Sequence, residues 1–202
     1  MIVTDIITID KRKSKIISDE DTFALYNSEI RRLNISIESE ISIEIQNFIY
    51  NDILYKRARE RALHLLESMD RTEYQINQKL KEGYYPTSII ERVIAFLKKY
   101  DYLNDKRYAV RYRDSYAKTK SCKRISIDLL KKGISKDIIS DVLSEYGEDD
   151  EKKQIMHLLE KKHYKEVCED IKQKNKVISF LLRRGYQYDD IFECIYKFSK
   201  EI

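Results

Sequence analysis

The sequence is poor in the residues that build glycine-rich loops, disulfide frameworks and zinc sites. Its four glycines are isolated, which excludes the glycine-rich loop that cradles a phosphate. The three cysteines, Cys122, Cys168 and Cys194, are odd in number, widely spaced and form no CxxC pair. They indicate neither a disulfide framework nor a zinc site, and a reducing cytoplasm is therefore the expected compartment.

The sequence also lacks a long apolar run. No stretch approaches the roughly 20 consecutive apolar residues of a membrane-spanning helix. The start of the chain, MIVTDIITID, lacks the charged and apolar regions of a signal peptide. We therefore expect no association with a membrane.

Residues arranged for catalysis are absent as well. No serine or cysteine lies in a recognisable nucleophile elbow. His157 and His163 are six positions apart, so they do not share the i, i+4 helical face that a two-histidine metal site uses. The sequence thus predicts no enzyme, no catalytic residue, no bound metal and no cofactor.

What the sequence does contain is many apolar and many charged residues, 42% and 37%, which fits a folded, helix-rich protein. The net charge of +4 is unevenly distributed along the chain. Residues 100–132 carry ten Lys and Arg against four Asp and Glu, whereas residues 133–170 carry six against eleven. A basic centre is therefore flanked by an acidic segment.

A short motif recurs along the chain. It reads Leu80-Lys-Glu-Gly83-Tyr, then Leu130-Lys-Lys-Gly133-Ile 50 residues later, then Leu182-Arg-Arg-Gly185-Tyr after a further 52. A repeat at this period predicts stacked copies of one helical unit. In each copy the glycine is expected to end the second helix, because glycine adopts the left-handed conformation without a Cβ penalty.

Helix-start signals fit three helices in each copy. Thr72-Glu-Tyr-Gln75 matches a capping box, Pro86 suits the first turn of a following helix, and Ser121 and Ser135 are N-cap candidates. The predicted fold is mainly α: an elongated, curved array of three tandem three-helix repeats over residues 55–100, 101–147 and 148–202. In the third repeat, the first apolar stripe is expected to continue through Ile171.

Residues 1–54 are predicted to form an N-terminal leader. β-rich segments at 2–9, 15–18 and 22–26 indicate a small sheet or hairpin. Asn27 and Ser39 are candidate caps of two short helices that follow. Two interpretations of the leader are equally open: an appendage that touches a partner, or a lid that covers the first helices.

The basic centre is the strongest functional signal. Ten cations lie within residues 106–132, interleaved with Tyr108, Tyr112 and Tyr116. We interpret their excess as unbalanced by acids at i, i+4, so it suits nucleic-acid phosphates or an acidic protein surface. The tyrosines are expected to face the core, because a spacing of four matches an inward helical stripe.

These motifs, in this order and spacing, resemble the RecX family of recombination regulators. The resemblance is carried by Thr72-Glu-Tyr-Gln75, Leu80-Lys-Glu-Gly83, Tyr102-Leu-Asn-Asp105, Tyr108-Ala109 and the two later glycine motifs. The sequence departs from the family pattern at Asn104, where an aspartate is usual, and at Tyr108, where a phenylalanine is usual. Both changes preserve the expected capping and packing.

The resemblance implies a monomeric protein that binds the RecA recombinase–DNA filament along its helical groove and inhibits its ATPase and strand-exchange activities. A weak contact with single- or double-stranded DNA is a further expectation. From charge and helix position, we predict that the contact surface comprises Arg107, Arg111, Arg113, Lys123, Arg124, Lys131, Lys132, Lys176, Arg183 and Arg184.

Two other classes of function remain open. Three-helix units resemble helix-turn-helix modules, so direct nucleic-acid binding is the first alternative. The second is a helical adaptor for another protein.

Overall fold

The computed structural model describes residues 1–144 and 148–200. The chain divides into two compact units, of which the first is Met1–Asn104 and the second begins at Asp105. The predicted combination of a mainly helical chain with a small N-terminal sheet is confirmed. In this part of the chain, no helix is both long enough and apolar enough to cross a membrane.

The first unit begins with a three-stranded antiparallel sheet. Its strands are β1 (Val3–Thr8), β2 (Lys13–Ser18) and β3 (Thr22–Tyr26), in the order β1-β2-β3. Alternation along β2 places Ser14 and Ile16 in the interior. The Asp10 carboxylate accepts hydrogen bonds from the backbone N–H groups of Arg12 and Lys13, which closes the first hairpin.

Two short helices follow the sheet, α1 (Asn27–Arg32) and α2 (Ile43–Phe48). The predicted caps are wrong at both. The Asn27 side chain accepts from Ser14 Oγ at 2.8 Å and so holds the helix to the sheet, while Tyr26 occupies the N-cap position. Ser42 Oγ accepts from Ile45 N and caps α2, because Ser39 is engaged in its own turn with Ser36.

The helix α2 continues without a break into a π-helical segment (Ile49–Tyr55) and then into α3 (Lys56–Ser68). The first unit ends with α4 (Glu73–Lys81) and α5 (Thr87–Lys99). The capping box is confirmed: Thr72 Oγ1 accepts from Gln75 N at 3.2 Å, and Gln75 Oε1 accepts from Thr72 N at 3.1 Å. Pro86 lies at the N-cap of α5, one position earlier than predicted.

One hydrophobic core runs through the whole first unit. It joins residues of the sheet, of the π-helical segment and of the three following helices, including Val3, Ile16, Phe23, Leu25, Ile49, Leu54, Ala58, Ala62, Ile76, Leu80, Ile89, Val93 and Leu97. Because the inner face of the sheet packs into the same core as the helices, the sheet serves as a lid on them.

The second unit begins with α6 (Asp105–Tyr116), α7 (Cys122–Lys131) and α8 (Lys136–Leu143), which enclose a core around Ala109, Ile125 and Leu129. The predicted caps Ser121 and Ser135 are confirmed, because their hydroxyls accept from the backbone N–H groups three residues later.

The rest of the second unit comprises α9 (Glu148–Lys161), α10 (Tyr164–Val167), α11 (Ile171–Arg183) and α12 (Tyr188–Lys200), which share a second core. The expected continuation of the first stripe through Ile171 is wrong. The chain leaves α9 at His163 in the left-handed conformation (φ 50°), forms the four-residue α10, and restarts at Asp170, whose carboxylate caps α11.

The helices after the π-helical segment fall into three groups, α3–α5, α6–α8 and α9–α12, and the helices α4, α7 and α11 end in the same backbone turn. A residue five positions after a buried leucine donates its N–H back to that leucine's carbonyl: Tyr85 to Leu80, Ile134 to Leu129 and Tyr186 to Leu181. The residue before each donor is left-handed, namely Tyr84 (φ 58°), Gly133 (φ 83°) and Gly185 (φ 90°). The turn is therefore a Schellman motif.

The position of this turn shows that the predicted register of the repeat and the predicted role of Gly83 are wrong. Leu80 is equivalent to Leu129 and Leu181, which are fully buried, and not to Leu130 and Leu182, which are exposed. Gly83 does not take the left-handed position, which falls on Tyr84. The burial of leucine sets the register, and the glycine in the first copy is displaced by one residue.

Replacement of Gly185 by alanine is expected to destabilise the second unit by about 2 kcal/mol or more. An alanine would be left-handed there, and its Cβ would lie 2.6 Å from Ser121 Oγ. Gly83→Ala is the matched control. It requires no left-handed residue and meets chiefly the Tyr85 ring, at 2.9 Å, so a smaller loss of about 1 kcal/mol is expected. Urea denaturation followed by circular dichroism measures both, and equal losses would contradict the assignment.

Candidate partner-binding groove

The start of α7 is fixed by the turn between α11 and α12. Ser121 N donates to the carbonyl of Arg184 at 3.0 Å, and Cys122 N donates to Glu151 Oε1 at 2.7 Å. Ser121 is fully buried at this contact. These bonds satisfy N–H groups that the first turn of a helix leaves unpaired, so α7 and the α11–α12 turn form one surface.

Gly185 makes this contact close. A Cβ built on Gly185 would lie 2.7 Å from Arg124 Cβ, nearer than side chains approach one another. The absence of a side chain at this position therefore brings the exposed end of α11 against the first turn of α7. Glycine is required here both for its backbone conformation and for the space it leaves.

A groove of about 470 Å³ runs along this junction. We call it the basic groove, and it is lined by Lys123, Arg124, Ile127, Leu182, Arg183, Gly185, Tyr186 and Gln187. Three of the predicted contact residues thus meet there, and none of the lining residues is acidic. Lys123 and Arg183 are exposed, and each contributes a positive charge to the rim.

Asp128 compensates part of the basic centre. Its carboxylate accepts from Lys120 Nζ at 2.8 Å, lies 3.2 Å from Arg124 Nε, and also accepts from the Tyr112 hydroxyl. Arg124 and Asp128 are an i, i+4 pair, so the interpretation that these cations lack such acids is wrong. Sequence reasoning missed Asp128 as an organising residue, although its spacing from Arg124 was a readable signal.

The environment of Asp128 favours its charged form. Burial acts to raise the pKa of this carboxyl group, but hydrogen bonds from Lys120 and Tyr112 and the nearby positive charges outweigh burial. The net effect holds the pKa of Asp128 below its ordinary value of 3.8. Asp128 therefore remains an anion at neutral pH and anchors Lys120 and Arg124.

The three tyrosines of α6 form a ladder rather than a buried stripe. The Tyr108 and Tyr112 ring centroids are 6.4 Å apart, and those of Tyr112 and Tyr116 are 4.6 Å apart. Tyr108 and Tyr112 pack against the core, as predicted, but Tyr116 is exposed. Lys120 Nζ lies 3.8 Å from the Tyr116 centroid, and Lys132 lies over the other two rings.

The remaining predicted contact residues do not join the basic groove as one patch. The Arg113 side chain is only 15% exposed, and its Nη1 donates to the Val142 carbonyl at 3.0 Å. The Arg184 guanidinium lies 4.1 Å from the Phe180 centroid and contributes to packing at the turn. On other parts of the second unit, Arg111, Lys131 and Lys176 are exposed and Arg107 is half-buried.

The second unit carries further ion pairs away from the groove. Lys106 Nζ pairs with Asp141 at 2.6 Å, and Lys152 Nζ pairs with Glu193 at 2.6 Å. Hydrogen bonds from Lys152 and Lys197 hold the pKa of Glu193 at about 2. Within residues 1–144 and 148–200, no group of three or more His, Cys, Asp or Glu side chains is placed to hold a metal ion.

The fold and the groove define a class: a helical protein built of successive helical groups, with a basic groove at a junction between helices. Two family models match the chain, the first three-helix domain of RecX at residues 58–97 and the third three-helix domain of RecX at residues 148–195.

Curated relatives match most of the chain. The regulatory protein RecX of Clostridium perfringens (strain 13 / Type A) is 32% identical over 181 residues, covering 88% of this chain and 85% of the relative. That of Clostridium acetobutylicum is 31% identical over 201 residues, covering 96% and 94%. The chain belongs to the RecX family, as the sequence motifs indicated.

Two solved structures have a similar fold. The crystal structure of RecX from Lactobacillus salivarius has a TM-score of 0.61 and 28% identity, covering 72% of this chain and 96% of that one. A crystal structure of regulatory protein RecX has a TM-score of 0.60 and 22% identity, covering 95% and 98%. The second comparison bears on the fold alone.

Asp128→Asn is expected to lower the free energy of unfolding by about 1–2 kcal/mol at pH 7, because it removes the charged acceptor of Lys120 and Arg124. The folded-state pKa of Asp128 is depressed, so its contribution is present above the unfolded-state pKa and is lost as the pH falls through the folded-state pKa. The difference between variant and parent should therefore be smaller at pH 3, which lies below the unfolded-state pKa of about 3.9, than at pH 7. Urea denaturation at both pH values measures it.

The control for this measurement is Asp137→Asn, at an exposed carboxylate in the first turn of α8. Its effect should stay within about 0.5 kcal/mol at pH 7. An Asp128→Asn difference that is the same at pH 7 and pH 3 would show that the charge of Asp128 is not what stabilises the cluster.

Proposed function

We propose that this protein binds the RecA recombinase–DNA filament along its helical groove and inhibits the filament's ATPase and strand-exchange activities. The observation that carries the proposal is the basic groove, in a chain that belongs to the RecX family. The relatives are named regulatory proteins, and the proposed effect accordingly requires binding and no bond-making chemistry of the chain's own.

The composition of the basic groove suits an acidic segment of a protein partner. Lys123, Arg124 and Arg183 supply positive charge, and Gln187 supplies a side-chain amide. Ile127 and Leu182 line the same groove with apolar surface. Carboxylates of a partner would pair with the cations while its apolar side chains cover the aliphatic lining, which is the usual division of roles at protein interfaces.

The arrangement of the cations decides which of them are available to a partner. Arg113 donates a hydrogen bond to the Val142 carbonyl, and Arg124 forms an ion pair with Asp128. Lys123 and Arg183 are exposed at the groove. We therefore assign them the leading role among the ten predicted residues, with Arg124 held beside them by Asp128.

Inhibition would follow from the presence of the bound chain in the filament groove. A chain with several helical groups can contact more than one protomer of a filament, and weak contacts on one chain then act together. A bound chain in the filament groove would compete with duplex DNA or hold the filament in one state. Exposed Arg111, Lys131 and Lys176 and half-buried Arg107, where they face the partner, would add to the attraction.

The double variant Lys123→Glu with Arg183→Glu is expected to inhibit the recombinase about tenfold less well than the parent. Each reversal places like charges against the acidic partner surface and removes an attraction. The measurement titrates each protein into recombinase assembled with ATP on single-stranded DNA and follows ATP hydrolysis, with helicity checked by circular dichroism.

The matched control is Lys136→Glu with Lys161→Glu, which makes the same change in net charge at two exposed cations of the second unit away from the groove. It should retain potency within about twofold, because a general loss of positive charge is screened by salt. An equal loss in both double variants would refute the groove assignment. No inhibition by the folded parent protein would refute the proposed function, and tight, salt-dependent binding to bare duplex DNA in its place would favour direct nucleic-acid binding.

A further inference from the structure

A second surface, on the first unit, has a composition that the basic groove lacks. Its four aromatic rings are Tyr55, Phe96, Tyr100 and Tyr102, and we call it the aromatic surface. Arg92 and Phe96 of α5 and Tyr100, which caps its C-terminus, follow one another at intervals of four residues and therefore share one helical face. Tyr55, the last residue of the π-helical segment, and Arg59 of α3 are spaced in the same way.

The rings at the end of α5 form a contiguous cluster. The centroids of Phe96 and Tyr100 are 4.9 Å apart, and Phe96 and Tyr102 are stacked with centroids 6.5 Å apart and planes 24° from parallel. Tyr100 and Tyr102 are 57% and 53% exposed. These rings thus support one another on one side and present free surface on the other.

The backbone after α5 places Tyr102 in the cluster. Asp101 is left-handed (φ 53°), and Tyr102 N donates to the Leu97 carbonyl at 2.9 Å, so the chain reverses and returns beside the helix. Aspartate tolerates this conformation better than most residues. The cluster is therefore fixed by a helix-ending turn rather than carried on a loose loop.

Three cations lie among these rings. Arg59 Cζ is 5.4 Å from the Phe96 centroid, Arg92 Cζ is 4.5 Å from the Tyr55 centroid, and Lys99 Nζ is 5.7 Å from the Tyr100 centroid. None of the three forms a salt bridge with a carboxylate in residues 1–144 and 148–200. Two acids of the same unit are engaged with other residues: Glu73 pairs with Lys98, and Asp101 accepts from Asn104.

We propose that the aromatic surface binds single-stranded nucleic acid. Exposed rings stack on bases, and cations free of acidic partners neutralise phosphates; the combination of both on one face is the composition of single-strand binding surfaces. From Arg92 to Tyr100 the α5 face extends for about 12 Å, which places charge and rings along a strand rather than at one point. The cations beside the rings favour nucleic acid over an apolar protein segment.

This inference does not rest on the proposed function, because the site needs no recombinase. The test measures binding of a fluorescent oligothymidylate, and in parallel an oligouridylate, of about 15 nucleotides to the full chain by anisotropy, without recombinase. Tyr100→Ala with Tyr102→Ala is expected to weaken binding by about tenfold or more, since each stacked ring contributes to binding. Phenylalanine at both positions should restore the affinity to within about threefold of the parent's, because the ring is retained.

Tyr196→Ala is the matched control. Tyr196 is 60% exposed on α12 and also lies beneath a cation, with Lys200 Nζ 4.4 Å from its centroid. Binding by this variant should stay within about twofold of the parent. In addition, Arg59→Gln with Lys99→Gln should make the slope of log affinity against log salt concentration shallower, by the amount that corresponds to about two phosphate contacts.

Three results would overturn the inference. They are no binding of either oligonucleotide by the folded parent, an equal loss in the Tyr196 control, and loss of recombinase inhibition in the Tyr100/Tyr102 variant while oligonucleotide binding is unchanged. The third result would make the aromatic surface a protein interface. Failure of recombinase inhibition by the parent, with oligonucleotide binding intact, would refute only the proposed function.

Discussion

The backbone turn that ends α4, α7 and α11 fixes the residues on both sides of it. In all three groups the turn buries the residue that donates its N–H back to leucine: Tyr85, Ile134 and Tyr186. A buried side chain at this position anchors the start of the next connection in the core. The residue before it must adopt the left-handed conformation, which is energetically unfavourable for residues with a Cβ. Glycine avoids this strain in two of the three copies. In the first copy Tyr84 is left-handed and its ring lies near Lys15 of the sheet.

Much of the fold was predictable from local sequence signals. The capping box at Thr72, the caps at Ser121 and Ser135 and the apolar faces of the helices act over a few residues, so spacing alone reveals them. The errors have a different origin. Asn27 and Ser39 have the right chemistry for capping, but their side chains are engaged by groups that lie near them only after folding or within a competing turn. Gly83 was misassigned because the motif was aligned on its glycine, whereas the core aligns the copies on the buried leucine.

The basic groove could be predicted only in part. Charge density along the chain identified Lys123, Arg124 and Arg183, but it weights every cation equally. The structure separates those that are neutralised or buried from those that remain available. Arg113 is held by the Val142 carbonyl, Lys120 by Asp128 and Lys106 by Asp141, so three cations of the basic centre are engaged within the unit. The contact between Gly185 and Ser121 joins residues 64 positions apart, and no periodicity in the sequence reports such a contact.

Both candidate surfaces arise where a helix ends. At the basic groove, the turn after α11 brings Arg183 and Gly185 against the first turn of α7. At the aromatic surface, the turn at Asp101 returns Tyr102 to the side of Phe96. A helix alone can display only side chains at intervals of three and four residues on one face. A left-handed turn adds side chains from beyond the helix to that face. A backbone hydrogen bond fixes the position of these residues, so their side chains do not have to be buried to be held in place. A binding surface requires side chains that are both fixed in position and exposed.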